Sequence, residues 1–122
     1  MTTELSKNIG AIFYAIAKAD GNLSYEEYCR FIDYTEKKWS HLSKDEYKYM
    51  KETFNELQAC NANPNTCYTN FVEYLRRNPA LFTKDLKSLI LKTANKIAHS
   101  FAGINKSELI LLAKLSLELK KQ

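Results

Sequence analysis

Apolar residues recur every three or four positions along most of the chain, with polar and charged residues between them. This spacing places apolar side chains on one face of an α-helix, and it predicts six helices. The first runs from about Thr3 to Ala19, and Asp20-Gly21-Asn22 ends it, because these residues favour turns. Its apolar stripe consists of Leu5, Ile9, Ile12, Phe13 and Ile16.

Two capping boxes predict where the second and third helices begin. Ser24 is followed three residues later by Glu27, and Ser43 by Glu46. At this spacing a cap hydroxyl and an acid each accept a hydrogen bond from the other's backbone amide. The residues expected to face inward are Tyr28, Ile32 and Trp39 in the second helix, and Tyr47, Met50, Phe54 and Leu57 in the third.

The turn-rich stretch 61–66 separates these helices from a fourth, which we expect to run from Cys67 to Arg77 and to end before Asn78-Pro79. Thr83 is the predicted cap of a fifth helix, which Gly103 breaks. The apolar stripe of the fifth helix is Leu86, Leu89, Ile90, Ala94, Ile97, Ala98 and Phe101.

The sixth helix is predicted to begin after Asn105, with Glu108 as the acid of its capping box. It is apolar on nearly every side through Leu109, Ile110, Leu111, Leu112 and Leu115. A helix that is apolar all round is typically buried, so we expect this one to be central.

Composition supports the helical interpretation. The chain has 122 residues, of which 45% are hydrophobic and 26% charged, as in a folded domain of ordinary size. Val72 is the single valine against 15 leucines and 11 alanines, and leucine and alanine favour helix where valine favours strand. No linker or low-complexity tract interrupts the chain. We therefore expect one all-α domain spanning residues 1–122, a bundle of about six helices.

The charge pattern argues against nucleic-acid binding. The formal net charge is +4, and the lysines are dispersed among acids. Lys84, Lys87, Lys92 and Lys96 fan out around most of a helix circumference, so they do not form one basic face. We expect a solvated helical surface instead.

Targeting and redox signals indicate a cytoplasmic protein. The N-terminal residues lack a basic segment followed by an apolar one, and the longest apolar runs fall far short of the ~20 residues that span a bilayer. Cys29, Cys60 and Cys67 are odd in number and are expected to be free thiols, with a Cys60–Cys67 bond as the alternative under oxidation.

No catalytic motif is present. The sequence contains no GxSxG, GxGxxG or GxxxxGK[ST], and no CxxC. His41 and His99 have no cysteine or acid at metal-ligand spacing, which argues against structural zinc, and His99 is expected to face solvent. We identify no catalytic or cofactor-binding residue and expect a non-enzymatic protein.

Two helix-turn-helix units resemble each other at an offset of 81 positions. Ile16 matches Ile97, Ala17 matches Ala98 and Leu23 matches Ile104, while the cap Ser24 matches Asn105 and Glu27 matches Glu108. If they form a repeat, the two hairpins should pack as a pseudo-symmetric pair around one core. The alternative is that any two capped helical hairpins look this similar.

The segment 15–27, with Ala-Asp-Gly at 19–21, Leu23-Ser24 and Glu27, resembles the signature of the tellurite-resistance TerB family. The resemblance implies an all-helical domain with a second related hairpin, for which Ile97–Glu108 is the counterpart. Family members often carry acids in both hairpins, proposed to bind a divalent metal. Here Phe101 stands where Asp20 would be matched, so only Glu108 remains in the second unit.

The leading functional interpretation is therefore a TerB-like module that binds a protein partner of unknown identity, in bacterial stress response or tellurite resistance, with self-association into a homo-oligomer also considered. The alternative is a divalent-cation site formed by Asp20, Glu26 and Glu27 at the first hairpin turn. Turn formation beside Gly21 and helix capping account for Asp20 and Glu27 without any ligand.

Tyrosines off the inward stripes bear on the partner hypothesis. The chain has eight tyrosines, and Tyr14, Tyr25, Tyr34 and Tyr49 lie off or beside those stripes. Such residues usually fill a core edge with the hydroxyl in water, and they also occur on protein-binding faces.

Overall fold

The computed structural model describes residues 2–19, 23–39, 44–100 and 106–121. Within these residues the chain forms six α-helices, one short 3-10 helix and no strand, which confirms the expected all-α bundle. The predicted residues Asp20, Ser43, Gly103 and Asn105 lie outside the described part. The helices are α1 (Thr3–Lys18), α2 (Tyr25–Lys38), α3 (Lys44–Ala59), α4 (Pro64–Arg77), α5 (Lys84–Ser100) and α6 (Lys106–Lys121), and the 3-10 helix is Pro79–Leu81.

Side-chain caps fix the starts of several helices. Thr2 and Thr83 each accept a hydrogen bond through Oγ1 from the amide three residues on, at 3.1 and 3.2 Å, at the starts of α1 and α5. Ser24 Oγ accepts from the Glu27 amide at 3.1 Å, and Glu27 Oε1 accepts from the Ser24 amide at 2.9 Å. The cap at Thr83 and the capping box at Ser24 are thus confirmed.

α4 begins earlier than the sequence pattern predicts. Asn63 is its N-cap, and its Oδ1 accepts hydrogen bonds from the Asn65 and Thr66 amides at 2.8 and 3.2 Å. Pro64 takes the first helical position, where its missing amide has no intrahelical partner to lose. The predicted start at Cys67 is wrong because part of the turn-rich stretch forms the first turn of the helix.

α1 occupies the centre of the bundle, and α3, α4, α5 and α6 all pack against it. The prediction that α6 is central is therefore wrong. Tyr14, expected at the core edge, is fully buried. Its hydroxyl donates to the Ala62 carbonyl at 2.8 Å, so the buried polar group has a hydrogen-bond partner. The buried residues of α1 are Leu5, Ser6, Ile9, Gly10, Ile12, Phe13, Tyr14, Ala15, Ile16 and Ala17.

Aromatic contacts join α2 and α3 to this centre. Phe31 stacks on Phe54 with ring centroids 4.2 Å apart, and Phe13 meets Trp39 edge-to-face at 5.6 Å. The Trp39 indole donates to Thr93 Oγ1 at 2.9 Å, which ties the end of α2 to α5.

The inward stripes predicted for the middle helices are partly right. Trp39, Met50 and Phe54 are buried, whereas Tyr28, Ile32, Tyr47 and Leu57 are half-buried at the margin of the core. α2 instead buries Phe31 and Thr35, because Phe31 faces Phe54. In α5, Ile90, Ala94, Ile97 and Ala98 are buried as predicted.

The structure agrees with the internal repeat at some positions and differs at others, so the repeat stays a prediction. The caps Thr2 and Thr83 are 81 positions apart and make the same bond. Several equivalent positions share burial: Ile9 with Ile90, Ile12 with Thr93, Ile16 with Ile97, Ala17 with Ala98 and Glu27 with Glu108. Tyr14 and Ala15, by contrast, are buried where their counterparts Asn95 and Lys96 are exposed. α1 packs against α6 and α2 against α5, as a pseudo-two-fold arrangement requires, but α5 packs against α6 more closely than α1 packs against α2.

Gly10 marks the closest approach of α1 and α3. A Cβ atom at this position would lie against the Met50 carbonyl oxygen, 3.1 Å from its carbonyl carbon and 3.2 Å from its Cα. These Met50 atoms belong to the backbone in the middle of α3, so they cannot move away from a Cβ atom at position 10 without displacing the helix.

We predict that Gly10→Ala lowers the free energy of unfolding by about 1–3 kcal/mol, measured by urea denaturation. Alanine has the better helix propensity by about 1 kcal/mol, so the measured loss understates the cost of the clash. The neighbouring substitution Ala11→Gly is the control, and it should lower the free energy of unfolding only by that difference in helix propensity. A stabilised Gly10→Ala variant would show that α1 and α3 are not in close contact.

Candidate interaction surface

Four apolar residues of α6 face outward from the bundle. Leu109 is 41% exposed, Ile110 49% and Leu117 61%, and Ala113 lies exposed among them. Their spacing places them on one side of the helix, and we call this set the outer α6 face. Exposed leucine is common singly, but an apolar cluster on one helix face is typical of an interaction site.

The opposite side of α6 holds the helix against the bundle. Leu111, Leu112, Leu115 and Leu119 are buried there. Glu118 is also buried and accepts two hydrogen bonds from Arg76 of α4, from Nη2 at 2.7 Å and from Nε at 3.4 Å. Two hydrogen bonds from one planar guanidinium constrain the orientation of the carboxylate as well as its position. This pair adds to the leucine packing that holds α6 against the bundle, with the Arg76 side chain 57% exposed.

The charges at this contact influence one another. The hydrogen bond from Arg76 holds the Glu118 pKa below its usual value, although burial alone would raise it. Lys121, whose ammonium lies 3.6 Å from the carboxylate, also lowers this pKa. The pKa of the Arg76 guanidinium is raised in return. Burial, followed by the charge of Glu118, raises the pKa of the Tyr68 hydroxyl.

Lysines surround the outer α6 face. Lys106 lies at the start of the helix, Lys114 beside the face and Lys120 at its end, and all three are exposed. Ala113 is the smallest side chain of the face and is exposed between Leu109 and Leu117. The surface is apolar along its centre and positive at its margins.

The first hairpin carries the predicted cation ligands, and the structure describes two of them. Glu27 is buried and caps α2 through the Ser24 amide, whereas the neighbouring Glu26 is exposed. Asp20 lies outside the described residues. No group of three histidine, cysteine, aspartate or glutamate side chains in the described part could hold a metal ion. The cation site stays a prediction from the sequence.

The other candidate side chains are dispersed. His99 is exposed as predicted, with Nδ1 2.8 Å from the Asn95 carbonyl oxygen, while His41 lies outside the described residues. Cys29, Cys60 and Cys67 are unbridged in the structure; Cys60 is exposed and Cys67 buried. No described helix is long and apolar enough to cross a membrane.

The tyrosines off the stripes occupy three different environments. Tyr14 is buried and Tyr25 is 80% exposed. Tyr34 and Tyr49 are half-buried, and each lies beneath a lysine ammonium. They do not form one aromatic surface, so they do not mark the candidate site.

The sequence pattern did not identify the outer α6 face, because apolar residues all round α6 predicted a central helix. The lysines interspersed at 106, 114, 120 and 121 were the available signal, since they require a solvent-facing side. The Arg76–Glu118 pair joins residues 42 positions apart and leaves no local pattern.

Comparison of the chain with protein-family models, with curated proteins and with solved structures finds no significant match.

We predict that Glu118→Gln destabilises the fold at neutral pH and that the deficit shrinks in acid. The folded state holds the Glu118 pKa below its unfolded value of about 4.3, so this stabilisation is present above that pH and is lost as pH falls through the folded pKa. Thermal unfolding between pH 7 and pH 2.5 measures the difference.

Glu73→Gln is the matched control, because Glu73 pairs with Arg77 on the surface at 3.2 Å with both side chains mostly exposed. Its effect should be close to zero at every pH. Equal effects of the two substitutions would contradict a special role for Glu118 in holding α6.

We also predict that Glu27→Ala lowers stability by about 1 kcal/mol in the absence of any divalent cation, because the carboxylate caps the Ser24 amide. Glu26→Ala, at the adjacent exposed position, should have little effect. Denaturant unfolding with EDTA and then with Ca²⁺, Mg²⁺ or Mn²⁺ tests both. A loss that appears only when the cation is present would show that Glu27 is a ligand.

Proposed function

We propose that this chain is a TerB-like helical domain that binds a partner protein through the outer α6 face and carries out no catalysis. The observation that carries the proposal is the cluster of exposed apolar residues on a helix that the Arg76–Glu118 pair holds in a fixed orientation. The absence of nucleophile, nucleotide and metal-binding motifs from the sequence agrees with a binding role.

The internal repeat indicates what kind of element the face accepts. α2 and α6 are equivalent in the repeat, and Tyr28 and Ile32 of α2 correspond to Leu109 and Ala113 of α6. α3 contacts the first of these α2 positions: Tyr28 donates a hydrogen bond to Asn55 and packs against Phe54. The corresponding residues of α6 are exposed. The partner therefore supplies a helix in the position relative to α6 that α3 takes relative to α2.

Charge determines which helices fit. Lys106, Lys114 and Lys120 border the face, so the favoured partner is an amphipathic helix whose apolar stripe is flanked by carboxylates. A second copy of this chain fits poorly. In either a parallel or an antiparallel symmetric pair, lysines of one copy would meet lysines of the other.

The TerB resemblance supplies the biological setting of the proposal. A small helical domain that binds another protein is consistent with a role in a bacterial stress response, and that role follows from the resemblance alone. The fold by itself does not define the partner.

Site-specific photo-cross-linking in the native cells tests the proposal. A photoreactive amino acid at position 113, in the centre of the face, should form a defined adduct with one other protein. Leu117→Gln on the same face should reduce the adduct severalfold, since it places a polar group against the apolar stripe of the partner. Because Leu117 is 61% exposed, the purified variant should unfold at an unchanged temperature.

Leu81→Gln is the matched control. Leu81 is also exposed, at 36%, but it lies in the 3-10 helix rather than on α6. It should leave the adduct yield unchanged. Equal losses for the two substitutions, or an adduct with the mass of two copies of this chain, would contradict the proposal.

A further inference from the structure

A groove between α2 and α5 has the dimensions of a small-ligand site. Its volume is about 360 Å³, within the range of about 300–1,000 Å³ that is typical of ligand pockets. α2 lines it with Arg30, Asp33, Tyr34 and Lys37, which lie on one helix face, and α5 contributes Lys96. No residue of the outer α6 face lines the groove, and its interpretation does not depend on the proposed function.

The lining of the groove favours an anion. The charged side chains among the lining residues are Arg30, Lys37, Lys96 and Asp33, which together carry a formal net charge of +2. A guanidinium presents its N–H groups in a fork that matches phosphate oxygens, and ammonium groups add charge-assisted hydrogen bonds. A phosphate monoester carries a charge of about −1.5 to −2 near pH 7, which balances this lining.

The groove also has an apolar, planar component. Phe31 and Ile97 form its buried floor, each 2% exposed. The Lys96 ammonium lies over the Tyr34 ring, 5.9 Å from the centroid. A phosphate that attracts Lys96 would uncover the face of this ring, and another planar ring could then stack on it.

We propose that the groove binds a small organic phosphate that carries a planar ring, of the class that includes aryl phosphates and nucleoside monophosphates. Arg30, Lys37 and Lys96 hold the phosphate, the ring lies against Tyr34, and the Asp33 carboxylate accepts a hydrogen bond from any amino group on the ring.

Titration calorimetry with phenyl phosphate, adenosine monophosphate and inorganic phosphate tests the proposal. We expect at least one ring-bearing phosphate to bind about tenfold more tightly than inorganic phosphate, since stacking contributes on the order of 1 kcal/mol or more. Tighter binding of adenosine monophosphate identifies a nucleotide site, and tighter binding of phenyl phosphate identifies a smaller aryl phosphate. Equal binding of all three probes, or none at about 10 mM, overturns the proposal.

Two substitutions locate the binding. Lys96→Gln should weaken it by about tenfold, the usual effect of losing one charged hydrogen bond. Lys84→Gln removes the same charge from the exposed start of α5, outside the groove, and should leave affinity nearly unchanged. Tyr34→Leu should abolish the preference for ring-bearing phosphates over inorganic phosphate. Equal losses for the two lysine variants would show that net charge alone governs binding.

Discussion

The burial of α1 on nearly all of its sides is the constraint on which the rest of the structure depends. Its small residues, above all Gly10 against the Met50 backbone, let α3 approach closely, and its aromatic residues fill the space on either side. The described part of a chain this short encloses one helix, so the other helices lie around it with one face toward solvent. If one of these outer helices has more apolar surface than it needs to cover α1, the remainder is exposed to solvent.

α6 shows this consequence most clearly. It has enough leucines to fill both an inner and an outer face, and only the inner face is covered by the bundle. The buried leucines determine which face is outward, and the Arg76–Glu118 pair reinforces this orientation, because rotating the helix would separate Glu118 from its guanidinium. At the position that the predicted repeat pairs with Leu109, Tyr28 of α2 contacts Phe54 and Asn55 of α3, whereas Leu109 itself is exposed.

Local interactions in this fold could be predicted from the sequence, whereas long-range ones could not. The capping box at Ser24 and the cap at Thr83 depend on residues three positions apart, so both were identified correctly. The start of α4 was missed because Asn63 and Pro64 suit a turn and a helix N-terminus equally well. The predicted central position of α6 was wrong because the composition of a helix does not determine which other helices pack around it. The groove between α2 and α5 joins residues more than fifty positions apart, and only the packing of the two helices brings them together.

Amide hydrogen exchange on the isolated chain tests this account most directly. Residues 9–17 of α1 should exchange most slowly, through global unfolding, and residues 109–117 of α6 should exchange measurably faster, since one face of that helix meets water. Equal protection of the two segments would contradict the account, because it would mean that α6 does not open separately from α1.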